Sequence, residues 1–119
     1  MTVRPPRAVA PKFNIWTDNS TALDYEIAQE KASTLGRLGR ALEAALAALK
    51  AFDAQAIEAT VETRAERKAL VAEAGHALWL FVVQREALGL RDARQVMRDY
   101  AVPPEVQGRM GMLLPRKSR

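Results

Sequence analysis

The chain has 119 residues, a formal net charge of +4 and no cysteine, and 49% of its residues are hydrophobic although only 6% are aromatic. This length supports a single domain, and the lack of cysteine excludes disulfides, thiolate catalysis and zinc sites built on cysteine. A cysteine-free chain with no signal-like or membrane-spanning apolar run is expected to be cytoplasmic and not inserted in a membrane.

The N-terminal segment, residues 1–19, holds three prolines among small and basic residues and is predicted to be extended or disordered. Residues 18–21 then bring together side-chain oxygens that can accept hydrogen bonds from the free backbone amides of a helix. This cluster predicts that the first helix begins at about Ala22.

The first helix is predicted over residues 22–51, because leucine and isoleucine recur there at three- and four-residue steps. From Leu35 onward the spacing is close to a heptad, which is typical of a seam for another helix. Gly36 and Gly39 lie on or beside this seam. A helical glycine costs about 1 kcal/mol relative to alanine, so either a close helix crossing or a local kink is expected there.

The chain is predicted to reverse at residues 52–54, with Asp53 as the cap of the next helix. Because neither glycine nor proline marks this turn, one continuous helix is the alternative. The second helix is predicted over residues 54–88 and ends before Gly89. From residue 70 to residue 88 it shows a second apolar face, so this stretch must be covered from two sides.

A short third helix is predicted over residues 92–100, with Tyr100 facing inward. Two prolines end it, and Pro104 can serve as the first residue of a last short helix through Arg109. Gly111 then closes that helix.

The predicted fold is therefore all-α: a long antiparallel helical hairpin plus two short C-terminal helices, in one domain over residues 20–112. A basic tail, residues 113–119, follows. The two short helices cannot cover a hairpin about 45 Å long, so we expect a second hairpin to complete a four-helix arrangement in a homodimer. The alternative is a monomer in which the N-terminal segment and the terminal helices wrap the hairpin.

A metal site is one candidate for function. The single histidine, His76, lies three residues after Glu73, which is half of the ligand set of carboxylate-bridged di-iron bundles. A turn at Asp53 brings Glu30 level with them, so a symmetric dimer could supply four glutamates and two histidines. Such matches are common by chance, and a partly buried, hydrogen-bonded histidine is favoured, with no cofactor predicted.

Nucleic-acid binding is the second candidate, because residues 93–110 have the outline of a helix-turn-helix. Arg109, Arg116 and Lys117 could contact phosphates. However, the turn lacks the usual glycine and Gly108 weakens the second helix. The pattern thus permits nucleic acid as a partner but favours a structural cap on the hairpin.

Catalysis is not favoured, since the histidine has no obvious nucleophile and no glycine-rich phosphate loop is present. Trp79, Phe81 and Tyr100 could line a ligand pocket, but aromatic residues at helical spacing in an apolar run are typical of a core. The sequence favours a non-enzymatic homodimeric interaction or scaffolding protein, ahead of a DNA-binding regulator and a di-metal carboxylate bundle.

Three stretches carry a resemblance: YEIAQEKA (25–32), WLFVVQREALGLRD (79–92) and YAVPPEV (100–106). Together they resemble a family of small all-helical bacterial proteins of unknown function. The resemblance covers most of the chain beyond residue 20 and implies no activity. It implies that Arg85 and the corner at Arg91 and Asp92 fix how the short helices fold back, through an ion pair from one of the arginines to a nearby carboxylate.

Overall fold

The computed structural model describes the backbone of residues 15–55 and 57–111, and side chains from residue 21 onward within those ranges. The described chain contains four helices and no strand: α1 (Ile15–Ala54), α2 (Val61–Ala87), α3 (Ala93–Asp99) and α4 (Pro104–Arg109). This confirms the all-α class, the pair of long helices and the two short C-terminal helices. No described helix combines the length and the apolar character that a bilayer span requires.

The helix α1 belongs to two compact units, one up to Ser33 and one from Thr34 onward. In the first unit every described side chain, residues 21–33, is exposed. The buried hydrophobic side chains of the described chain all lie in the second unit: Leu42, Leu49, Val71, Ala72, Ala74, Leu78, Phe81, Val82, Val96, Val102 and Val106.

The start of α1 corrects the prediction for the N-terminal segment. The helix begins at Ile15, so residues 15–19, expected to be extended or disordered, are helical. Asp18 and Asn19 lie inside α1 and do not cap its start. Each lowers the stability of a helix by only about 0.7 kcal/mol relative to alanine, so the helix can continue through them. Residues 1–14 and the predicted basic tail, 113–119, lie outside the described residues.

The reversal between the long helices is confirmed, but its predicted cap is wrong. Asp53 lies in the last turn of α1, and α2 begins behind Thr60. The Thr60 hydroxyl accepts a hydrogen bond from the Thr63 amide (3.1 Å), and the Thr63 hydroxyl accepts one from the Thr60 amide (2.8 Å). This capping box escaped prediction because threonine stands where glutamate or glutamine is usual.

The second half of α2 is covered from two sides, as predicted, but the chain's own helices supply the cover that was expected from a second hairpin. On one side Gly39 of α1 faces Phe81 and Tyr100. A Cβ added at Gly39 would lie 3.2 Å from Cε1 of Phe81 and 3.1 Å from the hydroxyl oxygen of Tyr100. On another side α4 crosses at Gly75, where an added Cβ would lie 2.7 Å from the Cβ of Arg109. The buried residues of α2 are Val71, Ala72, Ala74, Gly75, Leu78, Phe81 and Val82.

The turns around α3 and α4 follow from local backbone chemistry. Gly89 (φ 87°) and Gly111 (φ 85°) follow α2 and α4, as predicted. Asp92 caps α3, since its side chain accepts a hydrogen bond from the Arg94 amide at 3.1 Å. Ala101 has a φ of 51° in the turn between α3 and α4. The predicted bounds of α4 are confirmed, and those of α3 differ by one residue at each end.

Candidate functional site

Arg67 of α2 contacts the ends of two other helices. Its Nε donates to Asp53 Oδ1 at 2.7 Å and its Nη2 to Asp53 Oδ2 at 3.0 Å, and Asp53 lies in the last turn of α1. The same guanidinium donates from Nη1 and Nη2 to the two oxygens of Glu105 at 3.0 and 2.6 Å, in the first turn of α4. Arg67 therefore fixes the ends of α1 and α4 against α2 through paired hydrogen bonds. We call Asp53, Arg67 and Glu105 the ion-pair cluster.

The hydrogen bonds of the ion-pair cluster shift its titration. Those donated by Arg67 hold the pKa of Asp53 and of Glu105 below their ordinary values of 3.8 and 4.5. The bonds to Glu105 and Asp53 in turn raise the pKa of Arg67. Because the arginine side chain is 34% exposed and each carboxylate 46% exposed, water screens these pairs. The cluster is therefore suited to positioning the ends of the three helices.

An apolar groove lies beside the ion-pair cluster, between the end of α1 and the α3–α4 turn. It encloses about 420 Å³, within the range of small-ligand pockets. Leu46, Leu49 and Tyr100 contribute apolar surface, and Lys50, Asp53, Arg67 and Glu105 contribute charged groups. The groove is lined by Leu46, Ala47, Leu49, Lys50, Asp53, Arg67, Tyr100, Ala101, Pro103 and Glu105.

A second groove shares Arg67 and Glu105 with the first and lies where α2 meets α4. We call it the basic groove, and it is lined by Arg64, Arg67, Lys68, Val71, Glu105 and Arg109. Four of these six side chains are cationic at neutral pH, so the groove is suited to an anion.

The predicted metal ligands do not form a site within the described chain. Glu73 is exposed and His76 is half-buried on α2, where the imidazole stacks with Trp79 at a centroid distance of 6.5 Å. Glu30 is exposed on α1, in the other compact unit. Among the described residues no group of three or more histidine, aspartate and glutamate side chains could hold a metal ion. A site assembled across two copies stays a prediction.

The aromatic residues divide between core and surface. Phe81 and Tyr100 meet edge to face with centroids 5.4 Å apart, as expected of core aromatics. Trp79 departs from the predicted core position, since 42% of it is exposed. An added Cβ at Gly111 would lie 3.5 Å from its Cδ1, so the end of α4 covers one edge of the indole.

The ion pair implied by the family resemblance is formed by a different arginine. Among the described residues neither Arg85 nor Arg91 pairs with a carboxylate, and the Arg85 guanidinium instead lies over the Phe81 ring, 6.0 Å from its centroid. Arg67 instead forms the ion pair with α4, through Glu105. Sequence reasoning missed it because its partners are 14 and 38 residues away, beyond any local spacing rule.

Two short helices joined by a turn occupy the stretch predicted as a helix-turn-helix, and α4 packs against α2. Ala101 adopts the left-handed conformation that glycine usually provides, so the missing glycine does not prevent the turn. The helix α4 has six residues, and its Val106 is fully buried. Of the predicted phosphate-binding residues, Arg109 lies in the basic groove, whereas Arg116 and Lys117 lie outside the described residues.

The fold and its grooves define a small all-helical protein: a helical hairpin capped by two short helices, with an ion-pair cluster between two surface grooves. The chain belongs to a family of unknown function, DUF6665, whose model matches residues 15–118. No curated protein and no solved structure matches the chain. The resemblance to an uncharacterised family is therefore confirmed, and it brings no activity with it.

Proposed function

We propose that this protein is a non-catalytic helical interaction or scaffolding module that associates with a second copy through residues 21–33 of α1. The observation that carries the proposal is the exposure of Leu23 (56%), Tyr25 (64%) and Ile27 (44%). Leu23 and Ile27 are four residues apart and so share one face of the helix. Large apolar side chains clustered on an exposed helix are typical of protein interaction surfaces.

The charge pattern of α1 favours a second copy, in antiparallel orientation, as the partner. Between residues 24 and 40 of α1 the acidic side chains come first, Asp24, Glu26 and Glu30, and the basic side chains follow, Lys31, Arg37 and Arg40, of which the two arginines lie just beyond residues 21–33. Two antiparallel copies place the acidic part of each helix beside the basic part of the other, which is the reciprocal contact that two-fold symmetry requires.

The proposed contact lies elsewhere than the one expected from the sequence. The expected dimer used the second half of α2, which α1 and α4 of the same chain largely cover. Residues 21–33 are the part of α1 where every described side chain is exposed. The cytoplasm is the proposed location of the module, and the absence of cysteine supports it.

Light scattering over a range of protein concentrations tests the association. We expect a mass of twice 13.2 kDa for the unmodified protein and of 13.2 kDa for the double variant Leu23→Glu/Ile27→Glu. The melting temperature of that variant at low concentration should match the unmodified protein, because both side chains are exposed in the single chain.

The matched control is Val83→Glu/Leu90→Glu, which adds the same charge at side chains of similar exposure (43% and 45%). It should leave the doubled mass unchanged. A single-chain mass at every concentration would contradict the proposal. So would loss of the dimer in the control alone, because that result would place the contact at the end of α2 and the segment that follows it.

A further inference from the structure

The basic groove carries positive charge that the described chain does not neutralise. The one carboxylate that lines it is Glu105, and both of its oxygens accept hydrogen bonds from Arg67. Asp53 pairs with Arg67 as well. Three cationic side chains of the groove therefore have no carboxylate partner among the described residues: Arg64, Lys68 and Arg109.

Close packing fixes one wall of the groove. An added Cβ at Gly75 would lie 2.7 Å from the Cβ of Arg109 and 3.0 Å from its carbonyl carbon and oxygen, so the end of α4 rests directly on α2. The Nε of Arg109 is buried there and has no hydrogen-bond partner among the described residues. A buried N–H without an acceptor is unfavourable, and a shift of the Arg109 side chain that brings this N–H to an anionic oxygen in the groove would relieve that cost.

Arg64 and Lys68 add a pair of like charges from α2 to the lining of the groove. Arg64 and Lys68 are exposed and four residues apart, so they are neighbours on the helix surface and repel each other. Nη1 of Arg64 donates to the carbonyl of Ala59 at 3.3 Å, which orients the guanidinium and leaves its other N–H groups for a ligand. An anion between these side chains would remove the repulsion.

We propose that the basic groove binds a phosphate group through Arg64, Lys68 and Arg109. A phosphate offers several anionic oxygens to donors that approach from two helices, and guanidinium groups match its geometry. Two sources supply this chemistry: a small phosphorylated molecule or the backbone of a nucleic acid. The site lies on α2 and α4, so it does not depend on the association proposed for α1.

The test uses the full chain and two probes, inorganic pyrophosphate followed by calorimetry and a short labelled DNA duplex followed by fluorescence anisotropy. The groove variant is Arg64→Gln/Lys68→Gln. Its control is Arg94→Gln/Arg98→Gln, which removes the same charge from exposed residues one turn apart on α3. Both variants should keep the melting temperature, since all four side chains are exposed.

We expect the groove variant to lower the affinity for whichever probe binds by about ten-fold or more. The control should change that affinity by less than about two-fold. For DNA, the slope of log affinity against log salt should also fall by about two in the groove variant. Binding of pyrophosphate assigns the site to a small phosphorylated ligand, and binding of the duplex alone assigns it to a nucleic-acid backbone.

Three outcomes would overturn the proposal. The first is that neither probe binds. The second is an equal loss in the groove variant and the control, which would mean attraction to overall charge. The third is an equal affinity for polyglutamate, which would mean that the groove does not select phosphate.

Discussion

The two parts of α1 carry similar apolar side chains but lie in opposite environments. In residues 21–33 Leu23 and Ile27 are exposed. In residues 34–54 Leu42 and Leu49 are buried, with exposed fractions of 0% and 2%. Both parts are helical, so the helix itself does not account for the difference. An apolar period predicts which face of a helix can be buried, but whether the chain supplies a cover depends on tertiary contacts.

The largest expected effect separates these two parts directly. Leu42→Ala should lower the free energy of unfolding by about 2.7–5 kcal/mol, because it leaves a cavity at a fully buried position. Leu23→Ala should change it by less than about 0.5 kcal/mol in the single chain. Urea unfolding followed by circular dichroism, at a concentration where the chain is monomeric, measures both. Equal losses would erase the distinction between the two parts.

A smaller effect is expected where the second compact unit is closed by α4. Gly75→Ala should destabilise by about 1–3 kcal/mol, because the new methyl group would overlap the Cβ of Arg109. Gly108→Ala, also in a helix but with no atom within 4 Å of the new Cβ, should be neutral or stabilise by up to about 1 kcal/mol. Thermal unfolding compares the two variants. A harmless Gly75→Ala would show that α4 does not rest on α2.

The smallest effect concerns the ion-pair cluster and its pH dependence. Since the pKa of Asp53 and of Glu105 is lowered in the folded state, their stabilisation is present above the ordinary values, 3.8 and 4.5. It is lost as the pH falls through the lowered values. Acidification from about pH 6 to about pH 3 should therefore reduce the melting temperature more in the unmodified protein than in Arg67→Gln.

The control for this pH profile is Arg94→Gln, because Arg94 lies 3.9 Å from Asp92 and its side chain is 90% exposed. Its profile should follow the unmodified protein. If the profile of Arg67→Gln also does so, then the cluster contributes nothing to folding.

The elements that the sequence predicts well are those set by local backbone chemistry. Gly89 supplies the positive φ that commonly follows a helix, and Pro104 fixes φ at the first position of a helix, so the end of α2 is predicted to within one residue and the bounds of α4 are predicted correctly. The break between the long helices is predicted at residues 52–54, but α1 continues to Ala54 and α2 begins at Val61, so the predicted start of α2 at residue 54 is seven residues too early. Its cap was assigned to Asp53 because the threonine version of the capping box departs from the usual pattern.

The candidate site was less predictable, since tertiary contacts assemble it. Arg109 could be named from its basic context, but its neighbours Arg64 and Lys68 lie about forty residues earlier in the chain. The crossing of α4 over Gly75 brings them to one groove. No periodicity within a single helix contains that information.

Hydrogen exchange along α1 tests most directly whether the single chain protects only the second part of this helix. In dilute protein, amides from Leu38 to Leu49 should be strongly protected, whereas those of residues 21–33 should exchange quickly and become protected as the concentration rises into the dimer range. Strong protection of residues 21–33 in protein that light scattering shows to be monomeric would contradict the account.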